Sequence, residues 1–138
     1  MNLMYAGKLN RPVGVDAADP VPLPVHNPLP IAMQVKWVSG AYYKNLDVAK
    51  FYVTIKSDLT MADNVAEVQL SNEGSPNPFT VVNNDLGRLD CEVPSEYMSL
   101  LEVSVLYYID IEVIDNGVPY TILYDTIRPF QPVTKSVT

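Results

Sequence analysis

The chain has 138 residues, 48% of them hydrophobic and only 18% charged, with a formal net charge of −7. That length holds one domain around a single core, and no apolar run approaches the roughly 20 residues of a membrane span. The charge is lopsided: residues 1–60 carry six Lys/Arg and four Asp/Glu, whereas 61–138 carry three and twelve. This balance argues against nucleic acid as a partner, because phosphates require clustered Lys/Arg.

The N-terminus lacks the apolar core of a signal peptide, being broken by Lys8, Arg11 and Pro12. Synthesis in the cytosol, with no membrane association, is the expectation. Residues 1–30 hold six of the twelve prolines. The stretch DPVPLPVHNPLP alternates proline with Val and Leu, which favours extended backbone over helix. This segment is expected to be an extended arm, mobile alone and ordered on a partner, with Met4, Tyr5, Leu23, Val25, Leu29 and Ile31 as apolar anchors. Residues 31–138 then form the domain proper.

From Ile31 the rhythm is period two, the mark of a half-buried strand. Ile31, Met33, Val35 and Trp37 share one face of a first strand, and Phe51, Val53 and Ile55 share one face of a second. Thr60, with Asp63 three residues on, reads as the N-cap of a short helical turn. Ala66–Leu70 alternates again, residues 71–78 (SNEGSPNP) are turn chemistry, and Phe79–Val82 and Leu86–Val93 are short strands. Ser95–Leu101 reads as one helical turn, and Phe130–Val137 as a last edge.

Between them lies VLYYIDIEVIDNGVPYTILYDTIR, residues 105–128. Asn116-Gly117 is a strong two-residue hairpin signal. A regular hairpin pairs Val113 with Tyr120, Ile111 with Ile122, Ile109 with Tyr124 and Tyr107 with Thr126 on the inner face. Glu112 then faces Thr121, Asp110 faces Leu123 and Tyr108 faces Asp125 on the outer face. About seven short strands without a helical period predict an all-β fold, an immunoglobulin-like antiparallel β-sandwich.

Chemistry is sparse. His26 is the one histidine and lies in the arm; Cys91 is the one cysteine and falls on an inward strand face. No nucleophile elbow, phosphate-cradling glycine loop or metal-ligand spacing occurs, so no catalytic residue, cofactor or metal is assigned. Asp110 and Glu112, two residues apart on one strand face, read as solvated carboxylates rather than a calcium or acid–base pair. Trp37 reads as core. Tyr42, Tyr43 and Tyr52 are the candidates for a surface that binds a glycan or a protein.

Three segments carry a family pattern: KFYVTIKSDLTMADNVAEVQLSN with its Lys-x-x-Leu-Thr-x-x-Asp core, DLGRLDCEVP, and YYIDIEVIDNGVPYTILYDTIRPFQPVT, which closes on Val-Thr. They lie within residues 50–134, about two-thirds of the chain, which resembles the immunoglobulin-like domains of bacteriophage virion proteins. Those domains occur in tail and baseplate proteins, including the N-terminal domain of baseplate upper proteins, and in some head-associated proteins. Relatives place a glycine in the final strand near Tyr124-Asp125 where this chain has none, which leaves that edge free to bend or pair differently. The resemblance implies a non-enzymatic structural protein of the virion. The first expectation is a capsid cement or decoration protein anchored on the major capsid protein through its arm. A tail, baseplate or neck component and a host-surface adhesion module are the alternatives, and a homo-oligomer is open.

Overall fold

The computed structural model describes residues 3–132. Among these residues ten strands form in chain order: β1 (Met4–Tyr5), β2 (Val21–Pro24), β3 (Leu29–Gln34), β4 (Lys36–Trp37), β5 (Lys50–Lys56), β6 (Val68–Ser71), β7 (Phe79–Asn83), β8 (Arg88–Val93), β9 (Tyr107–Asp115) and β10 (Val118–Phe130). One helical turn, α1 (Ser95–Met98), crosses between β8 and β9. A five-stranded sheet has the order β2-β10-β9-β5-β6, a three-stranded sheet has the order β3-β8-β7, and β1 and β4 make a short ribbon. Every pairing of named strands is antiparallel except β2 with β10.

This is an immunoglobulin-like sandwich. Taken in chain order, β3, β8 and β7 stand as strands B, E and D, while β5, β6, β9 and β10 stand as C, C′, F and G. β2 then runs along G as the opening strand. Tyr107, at the start of β9, accepts a hydrogen bond at its Oη from the Glu102 backbone N–H at 2.8 Å, the tie of a side chain to an upstream backbone known as a tyrosine corner in such folds. Inward residues of both sheets close the core: Phe51, Val53 and Ile55 from β5, Ile109, Ile111 and Val113 from β9, and Ile31, Leu89, Cys91 and Val93 from the smaller sheet.

The proline-rich segment is extended as expected, but it lies on this chain's own sheets rather than standing off as an arm. β2 pairs in parallel with residues 127–130, Gly7 bridges Leu123, and Ala6 N–H donates to Ile122 O at 2.7 Å. Met4, Leu9, Val21 and Leu29 are part of the core. The physical reason is that β10 would otherwise present a bare edge above an uncovered hydrophobic layer. The alternation suits that place. Val25 N–H donates to Phe130 O, so the odd-numbered amides of β2 face β10, and Pro22 and Pro24 turn their missing donors toward the open side. β3 repeats the device. Glu92 N–H points to Pro78 O on the β7 side, so Cys91 and Val93 bond β3 through Ile31 and Leu29, and Pro30 faces outward.

The hairpin turn forms as expected, with Asn116 and Gly117 at φ 50° and 81°, the positive pair of a type I′ turn. The register holds from Val118 to Thr121 and then shifts at a β-bulge between Thr121 and Leu123. Beyond it Ile111 faces Leu123, Asp110 faces Tyr124 and Ile109 faces Asp125. The bulge lets Ile122 and Leu123 both bury, after which alternation resumes out of phase, so Tyr124 turns out and Asp125 turns in. The short turn at Asp63–Val65 starts from Ala62 without a side-chain cap; the Thr60 hydroxyl instead donates to Asp58 Oδ1 at 2.8 Å. Of the edge expected over Phe130–Val137, Phe130 is the last residue of β10 and Gln131 and Pro132 belong to no strand; the rest of it, with the closing Val133-Thr134, lies outside the described residues.

Candidate functional site

Besides an exposed pair of Lys50 with Glu73, two places among the described residues bring charged side chains together. The first is a clasp between the N-terminal segment and β10. Arg11 Nη2 and Nη1 donate to Asp125 Oδ1 and Oδ2 at 2.6 and 2.9 Å, a bidentate pair. Leu9 N–H and Thr126 N–H donate to the same carboxylate, and the guanidinium also reaches Asp19 O and Leu9 O. Asp125 is 2% exposed. Burial opposes its charge, but Arg11 and the two backbone amides outweigh burial and hold the carboxyl below its usual value. Arg11 is raised by its hydrogen bonds to Asp125. The function of this pair is to fasten the segment before it leaves on the 12–20 loop. Sequence reasoning missed it; the one signal was a lone acid following two apolar residues in TILYDTI.

The second is a shallow trough on the outer face of the five-stranded sheet, about 220 Å³, lined by Tyr52, Thr54, Asp63, Gln69, Asp110, Glu112 and Ile114. Cross-strand register assembles it: Glu112 lies opposite Tyr52, and Asp110 opposite Thr54, which in turn faces Gln69. The loop after β5 folds back so that Asp63 meets Lys56 Nζ at 2.5 Å; Glu67 closes its base by accepting from Ser57 N–H and Oγ–H. Burial first, then the carboxylates of Asp63 and Glu112, push the Asp110 carboxyl up to about 6 against the pull of Lys56. Burial and Asp63 raise Glu112 in the same direction. The solvated strand face expected of these two acids is therefore half-buried. Among the described residues no three His, Cys, Asp or Glu are grouped to hold a metal ion.

The expected anchors are mostly internal. Met4, Val25, Leu29 and Ile31 are buried and Leu23 is partly buried against the core, while Tyr5 alone is exposed. As anchors for a partner these buried side chains are corrected, because the chain's own sheets already cover them. The three surface tyrosines do not form one patch. Tyr43 is 0% exposed, donates its hydroxyl to Asp115 Oδ1 at 2.7 Å and packs edge-on against Trp37; it is core. Tyr42 is exposed with Lys36 Nζ 5.4 Å from its ring centre, and Tyr52 belongs to the trough. Trp37 is partly buried against the core as expected. Cys91 is buried, its thiol pushed up to about 12 by desolvation, and His26 Nδ1 sits 2.9 Å from Ser99 Oγ on the surface. The structure brings neither toward a shared centre. Tyr124 and Lys8, which sequence reasoning passed over, meet on the outer face, with Nζ 5.7 Å from the ring centre. No protein-family model matches the chain, and no curated protein matches it in sequence.

Proposed function

We propose that this chain is a non-enzymatic structural protein of a tailed-phage particle, acting as a capsid cement or decoration protein. What supports the reading is one observation: the three segments that carry the resemblance lie in one immunoglobulin-like sandwich, supplying β5 and β6, β8, and the β9–β10 hairpin. With the N-terminal residues committed to the chain's own sheets, attachment falls to the outer surface of the sandwich and not to a threaded arm. The major capsid protein is the partner proposed, and the virion the location. Purified full chain added to particles assembled without it, and imaged by electron microscopy, tests this. Regular density over the head is the expected result. Density confined to a ring at the neck, tail or baseplate moves the protein to that component, and particles left bare refute the structural role.

A further inference from the structure

The outer face of the five-stranded sheet carries both signs of charge side by side. At its margin Lys8 lies over the ring of Tyr124. Tyr124 stands opposite Asp110 on the next strand, about 5 Å away across the sheet, and Glu112 follows Asp110 on the same face. Among the described residues Lys8, Asp110 and Glu112 form no ion pair, and Lys56, on the strand beside the two acids, is engaged by Asp63. Tyr124 is 45% exposed, and Tyr52 and Tyr108 flank the acids. Tyrosines of this kind supply contact area at little entropic cost.

We propose that this sheet face binds a second copy of the chain across a two-fold axis, Lys8 of each copy seated against Asp110 and Glu112 of the other. The cation lies to one side of the acids, so a two-fold rotation lays the margin of one face over the centre of the other, and a single patch satisfies itself. Charge selects this occupant. Two copies of a chain with net charge −7 repel over most of their surfaces, and here each offers the other a cation and carboxylates that are unpaired among the described residues. The inference holds wherever the protein works and does not rest on a place in the virion.

Sedimentation equilibrium on the full chain tests it, at salt of about 50 mM and about 1 M. The expected result is twice the monomer mass at low salt, with association weakened by about tenfold or more at high salt. Lys8→Glu and Asp110→Lys are each expected to be monomeric. Their equimolar mixture is expected to restore the dimer, because both contacts are complementary in the mixed pair and neither is in the parents. Should Asp110→Lys lose its near-ultraviolet dichroism, Glu112→Lys takes its place. A monomer at every concentration up to about 1 mM, a dimer indifferent to both reversals, a mixture that stays monomeric, or growth beyond the dimer would each overturn the proposal.

Discussion

Burial disfavours the charge of two aspartates on neighbouring strands, yet their pKa values end up shifted in opposite directions. Asp125 is buried with four donors on its carboxylate, so its charge stabilises the fold. Removing one partner of a buried pair strands the other, and Asp125→Ala is expected to lose about 3–5 kcal/mol, read from the urea midpoint. Because its folded pKa lies below the unfolded value, this contribution is complete above about pH 4 and fades as the pH falls through the lower folded value. Asp110 behaves in the reverse way. Its folded pKa, about 6, lies above the unfolded value, so between about pH 4 and 6 the native state holds more protons and stability falls as the pH rises. Asp110→Asn is expected to raise the melting temperature at pH 7, flatten that slope, and change little below pH 4, in melts recorded from about pH 3.5 to 7.5.

At the scale of elements, the N-terminal segment is structural. Met4, Leu9, Val21 and Leu29 are core side chains, and β2 covers the edge of β10. Deleting residues 1–24 is expected to abolish the cooperative unfolding transition, visible as lost near-ultraviolet dichroism and narrowed amide dispersion. A cooperative fold that survives the deletion would sink this account. The sequence carried the extended backbone of this segment plainly, in its alternating prolines, but extension says nothing about which surface a strand lies against. The hairpin shows the same division. Asn116-Gly117 declares its turn, whereas a bulge removes no residue type and adds none; only the adjacent apolar pair Ile122-Leu123 hinted that the alternation changes phase. Tyr42 and Tyr43 fall outside any periodic run, so nothing in their order told which of them is buried.

For the whole molecule, the fold class was legible because strand period and turn chemistry are local properties, repeated often enough to outvote any single error. The clasp, the trough and the charged sheet face were not, since each depends on side chains that register brings together from distant parts of the chain. The prolines of β2 and β3 act at this largest scale. Substituting Pro22 and Pro24 by threonine supplies donors on the open side, and is expected to leave the unfolding free energy within about 1 kcal/mol of its original value while hastening aggregation followed by light scattering. Both sheets end on the same flank in these proline-bearing strands, one sheet after the other along the chain. That flank is a selvedge, a border finished with prolines at Pro22, Pro24 and Pro30, where a further strand finds few donors to knit onto. The other flank, bounded by β6 and β7, keeps its donors, so any strand added by a neighbour has one side of the sandwich open to it.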